Sequence, residues 1–124
     1  MKSQRPVNLE LTKFSFPLAA IVSILHRISG IFLFAGTAVL LWLLDASLAS
    51  EERFLALQET LTQPLWQIVI WAVLAALAYH VMAGVRHLLM DVGIGDSLKG
   101  GRRSALLTLV LAVMLMILAG VWLW

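Results

Sequence analysis

The chain has 124 residues, of which 61% are hydrophobic and 13% charged, and its formal net charge is +2. So apolar a composition at this length excludes an ordinary soluble domain and makes a bilayer the solvent. The weak positive charge sits beside apolar runs and gives no reason to invoke nucleic acid, while the absence of cysteine excludes disulfides, thiolate metal sites and a thiol nucleophile.

The amino-terminal segment carries Lys2, Arg5 and Lys13 against Glu10 and lacks the short apolar core and small-residue cleavage site of a signal peptide. Three apolar runs follow, Pro17 to Leu44, Leu65 to Met90 and Ser104 to Trp124. About 20 helical residues cross the hydrocarbon of a membrane. Lipid offers the backbone no hydrogen-bond partner, and none of the runs shows the alternation of a barrel strand, so each should be a helix. The expected fold is all-α: an integral membrane bundle of three transmembrane helices, at about 20–44, 65–90 and 103–124, within one anchor domain spanning 1–124.

Between the first two runs, Asp45, Glu51, Glu52 and Glu59 are offset only by Arg53. Between the second and third, Lys99, Arg102 and Arg103 outweigh Asp91 and Asp96. Because cytoplasmic segments retain lysine and arginine, this distribution predicts a cytoplasmic amino terminus and a carboxyl terminus on the opposite side. All five tryptophans, Trp42, Trp66, Trp71, Trp122 and Trp124, fall toward the ends predicted to face away from the cytoplasm, as interfacial anchors do. In the acidic loop, Phe54, Leu57 and Leu61 lie at helical spacing behind Ser50, a possible N-cap, and are compatible with a short interfacial helix. The glycine-rich stretch Gly93 to Gly101 fits neither a dinucleotide fingerprint nor a phosphate loop and reads as a flexible turn. Nothing in the third run suggests a site.

Titratable side chains inside a span cost free energy and therefore point to a cofactor, a cavity or a partner. The first run holds Ser23, His26, Arg27 and Gly30, spaced to share one helix face. The second holds Tyr79, His80, Gly84, Arg86 and His87. From His80 to Asp91 the helical rise is roughly 16 Å, which puts this imidazole near mid-membrane. Gly84, one turn along, removes bulk beside it, as a flat macrocycle such as a porphyrin would require. Blander readings exist for each: histidines can hydrogen-bond across helices, Arg27 and Arg86 can snorkel to headgroups, and Gly30 and Gly84 can simply let helices approach. For Arg86 and His87, close to the interface, the bland reading is preferred; for His80, iron ligation is preferred, because imidazole is a good ligand and costly at that depth.

The stretches Arg5-Pro6-Val7-Asn8-Leu9, Ser23 with His26-Arg27-Ile28-Ser29-Gly30, and His80 with Gly84-Val85-Arg86-His87-Leu88 and Asp91 carry a resemblance over essentially the whole chain. The chain resembles the cytochrome b subunit of bacterial and mitochondrial succinate dehydrogenase. The resemblance implies a membrane subunit of succinate:quinone oxidoreductase in a multi-pass arrangement in the bacterial inner membrane. Its partners there would be a flavoprotein subunit that oxidises succinate, an iron-sulfur subunit and a second three-helix anchor. It implies that His80 is one axial ligand of haem b, the other coming from the second anchor, with His26, Arg27 and Gly84 in the haem environment. It further implies that Ser23, Ile24 and Arg27 line the ubiquinone site. Since His80 and His87 share one helix face, they cannot bracket one iron, which agrees with a ligand from another helix. Three other readings stand beside this one: an anchor of a quinol:fumarate reductase, a haem-free structural anchor, and a small transporter. The lack of an inverted repeat and of broken helices counts against the last.

Overall fold

A computed structural model describes residues 15–124; the amino-terminal cations and the Arg5 to Leu9 stretch lie outside the described residues. Four helices follow in order: α1 Leu18–Ala49, α2 Glu51–Leu61, α3 Pro64–Asp91 and α4 Leu98–Leu123. The all-α fold is borne out, and α1, α3 and α4 are each long and apolar enough to cross a membrane. With 32 residues, α1 runs about 48 Å, well beyond a hydrocarbon layer of about 30 Å, so it projects from the apolar zone.

Ser50 ends α1 and begins α2. Its backbone is extended, with φ −167° and ψ 162°, and its Oγ accepts a hydrogen bond from Arg53 N at 3.1 Å. Glu51 and Glu52 occupy the first turn of α2, where the unpaired N–H groups favour negative charge. The short helix compatible with the sequence pattern therefore forms, with Leu57 and Leu61 half-buried and Phe54 exposed. Pro64 then opens α3 at a position that needs no backbone donor.

The glycine-rich segment departs from the expected flexible turn. Gly93 and Gly95 adopt positive φ, 82° and 77°, and turn the chain. From Leu98 onward, however, the backbone is helical, including Gly100 and Gly101. Ser97 Oγ accepts from Gly100 N at 3.0 Å, and a side chain at Gly100 would approach Gly95 within 3.1 Å. Capping and close approach stabilise a first turn that glycine content alone argues against.

The buried core consists of Val22, Tyr79, Ala83, Ala105 and Ala112, with Met82, Leu109 and Met116 packed around it. On α4 the buried positions are Gly101, Ala105, Thr108 and Ala112, small residues at spacings of four, three and four. Such a stripe lets helices approach closely in lipid, where dispersion contacts and hydrogen bonds replace the hydrophobic drive. On α1 the buried positions are Val22, Ser29, Gly36 and Leu43, a repeat of seven. Gly36 sits against α3 so tightly that a Cβ would lie 3.2 Å from both methyls of Val73. Apolar side chains elsewhere point outward, among them Phe34 at 86% exposure, as lipid-facing or partner-facing surfaces require.

Topology gathers the tryptophans at one end. Trp42 and Trp66 stack with ring centroids 5.6 Å apart, so they serve each other as platforms as well as marking the interface. Trp71 departs further from a simple anchor: its Nε1 donates to Met116 O at 3.0 Å, and Gly120 makes room for the indole. Gln67 Nε2 donates to Leu123 O at 3.1 Å beside it.

Candidate functional site

At the other end of the bundle, α1 and α3 bring all three histidines together. The His26 and His80 rings stack, with centroids 4.2 Å apart and planes 23° apart, and His87 lies 5.4 Å from His26. Two glycines make this possible in a reciprocal way. A Cβ at Gly30 would lie 3.4 Å from His80 Cε1, and a Cβ at Gly84 would lie 3.4 Å from His26 Nε2. Each helix thus lends its glycine gap to the imidazole of the other. The space expected beside Gly84 exists, but in this structure the His26 ring lies against it.

Hydroxyl groups organise the cluster. Ser29 is buried; its Oγ donates to His26 O at 2.7 Å and lies 2.9 Å from His80 Nδ1. Ser23 Oγ is 3.3 Å from His87 Nε2. Tyr79 Oη donates to Val22 O at 2.8 Å and closes the core side of the site. The one buried side-chain polar atom left without a partner among the described residues is His26 Nε2. A ring nitrogen withdrawn from water and left unpaired costs about 1–3 kcal/mol, and this one lies against Gly84 of α3.

The two arginines separate. Arg27 is exposed, with no hydrogen bond or ion pair among the described residues, about 14 Å along the axis from the start of α1. A guanidinium at that depth is expensive against lipid alone and calls for water, a ligand or a partner chain. Arg86 was expected to reach toward headgroups, but it is only 4% exposed. Its Nε donates to Ser104 Oγ at 3.1 Å and its Nη2 to Gly101 O at 3.3 Å, tying α3 to the first turns of α4. Arg86 and His87 are adjacent in sequence and so point about 100° apart around α3, one toward α4 and the other toward α1.

Ser23 and Ile24 begin the site on α1, Ser23 half-buried and Ile24 exposed beside Arg27. Ser29 escaped the sequence reading as a site residue, since a serine in a helix is commonplace. The available signal was its place in the 22, 29, 36, 43 repeat, which turns it inward. No group of three or more His, Cys, Asp or Glu side chains among the described residues is arranged to hold a metal ion by itself. The cluster nonetheless fits a haem that draws one ligand from this chain: it offers imidazole donors from two helices and an orphaned ring nitrogen.

Fold and site together define a helical membrane subunit of three spans whose first and second spans share a histidine cluster. Residues 1–119 match the family model described as the succinate dehydrogenase/fumarate reductase transmembrane subunit, and the chain belongs to that family. It is 45% identical, over the full length of both chains, to the succinate dehydrogenase cytochrome b556 subunit of Coxiella burnetii. It is 33% identical to the subunit of the same description from Paracoccus denitrificans, over 94% of this chain and 90% of that one. The mitochondrial succinate dehydrogenase cytochrome b560 subunit of Homo sapiens is 34% identical, over 90% and 68% of the two chains. Family membership sets aside the transporter reading and makes this chain one subunit of a larger membrane assembly.

Proposed function

We propose that this chain is the cytochrome b anchor of a succinate:quinone oxidoreductase, holding haem b through His80 and forming part of the ubiquinone-reduction site with Ser23, Ile24 and Arg27. The observation that carries the reading is the packing of three imidazoles from two spans around two glycine gaps. The cytochrome b names of the relatives agree with it. Those names also favour the succinate-oxidising direction over a quinol:fumarate reductase, although the family description covers both.

Haem b, if bound between this subunit and a second anchor, would supply reversible one-electron storage. The chain's residues supply the setting. His80 offers its ring to the iron. His26, whose buried Nε2 is unpaired among the described residues, would help to hold the group. Arg27, free of partners within the described residues, balances negative charge there and at the quinone. As quinone takes up electrons, charge builds on its ring oxygens, and a guanidinium in a partly desolvated site stabilises it. The Ser23 hydroxyl, held by His87, hydrogen-bonds one of those oxygens. A guanidinium serves here as a fixed cation and hydrogen-bond donor, so the proton comes from a partner residue or a water.

The histidine end faces the cytoplasm in this reading, with the amino terminus, the iron-sulfur subunit and the flavoprotein on that side of the bacterial inner membrane. The excess of Lys99, Arg102 and Arg103 in the segment joining α3 to α4 supports this orientation. The test is Arg27→Ala in the intact complex. Succinate:quinone turnover should fall by an order of magnitude or more, about 1.4 kcal/mol or greater in transition-state stabilisation, while succinate oxidation with an artificial acceptor at the iron-sulfur subunit persists. Unchanged quinone turnover removes Arg27 from the site.

A further inference from the structure

A serine hydroxyl has one proton to give, and Ser29 has two neighbours within hydrogen-bond distance, His26 O at 2.7 Å and His80 Nδ1 at 2.9 Å. The carbonyl can only accept. If the proton pointed at His80 instead, two oxygens would face each other at 2.7 Å with nothing between them. The Ser29 proton therefore goes to His26 O, and His80 must donate its own Nδ1–H to Ser29. In a neutral imidazole this leaves the lone pair on Nε2.

We infer that Ser29 is the positioning residue for the haem ligand: it holds His80 in the Nδ1–H tautomer and presents Nε2 for coordination. The inference rests on the haem reading above and adds to it an atom and a partner. Three further observations agree. The Nδ1 and Cε1 edge of the ring lies against α1, where Gly30 leaves room. One ring face is covered by His26, which fixes the plane without obstructing a lone pair that lies in that plane. His80 Nε2 itself makes no hydrogen bond among the described residues. Ser29 is buried, so water does not compete for the bond. Accepting from Nδ1–H makes an imidazole a stronger donor to a metal, favouring the oxidised state and lowering the reduction potential.

The experiment uses the whole complex, coexpressed with its partner anchor, and compares the parent with Ser29→Ala and Ser29→Thr. Redox titration of the haem band and the ferric low-spin EPR spectrum are the readouts, neither of which depends on turnover. Ser29→Ala should raise the midpoint potential and shift the EPR g-values. Ser29→Thr, which can make the same two hydrogen bonds, should restore both toward the parent. A potential and g-values unmoved in Ser29→Ala overturn the assignment and leave the haem reading intact. If Ser29→Ala loses its pigment, retention of the parent signature by Ser29→Thr supports the assignment, and loss in both overturns it. A parent complex without haem overturns both readings together.

Discussion

Helix α3 meets its two long neighbours through different chemistry. Toward α1 it presents His80, Gly84 and His87, whose contacts are hydroxyls, ring faces and glycine gaps. Toward α4 it extends Arg86 onto a stripe of small residues, Gly101 to Ala112. The first seam leaves one polar atom unsatisfied and places Arg27 at an open surface; the second satisfies its buried cation with two acceptors. Incomplete satisfaction inside a membrane is costly, so it persists where something else completes it. On the proposed reading, the α1–α3 seam is arranged for ligands and the α3–α4 seam for cohesion.

Substitutions on the cohesive seam should lower stability without changing haem colour in the complexes that still assemble. Arg86→Ala has the largest expected effect, about 2–4 kcal/mol, because it removes two charge-assisted hydrogen bonds and leaves a cavity in a buried position. Detergent-denaturation midpoints measure it, and a shifted Soret band at normal assembly would erase the distinction between the seams. Ala112→Leu, at a position 1% exposed, should cost about 1–3 kcal/mol through overpacking and be seen in the same titration. Tyr79→Phe removes the bond to Val22 O and should cost about 1 kcal/mol. Because Tyr79 borders both seams, a haem shift in this variant would sharpen where the ligand region begins. Ser50→Ala should have the smallest effect, about 0.5–1 kcal/mol confined to α2, read as faster proteolysis of the segment Glu51–Leu61 with an unchanged global midpoint.

Much of this organisation is legible before any coordinates are known, and what escapes has a physical reason. Spans follow from hydropathy, since in lipid a long apolar run has few alternatives to a helix. The cap at Ser50 and the spacing of Phe54, Leu57 and Leu61 indicate α2. The early start of α4 does not show, because Gly100 and Gly101 weaken helix propensity while the stabilising contact with Gly95 is tertiary. Within the site, His80 advertises itself by depth and cost. Ser29 does not: its meaning comes from a partner 51 residues away, and no local spacing encodes that. Arg86 illustrates the opposite error, a residue whose position near a helix end suggests headgroup contact but whose direction around α3 turns it into α4.

The central claim is that His80 grips the iron of a haem. Its most direct test is the reduced-minus-oxidised absorption spectrum of the complex purified with its partner anchor, parent beside His80→Ala. A low-spin b-type spectrum in the parent that is weakened or absent in the variant is the predicted result. A parent without Soret absorption, or a variant whose spectrum is indistinguishable from it, contradicts the account.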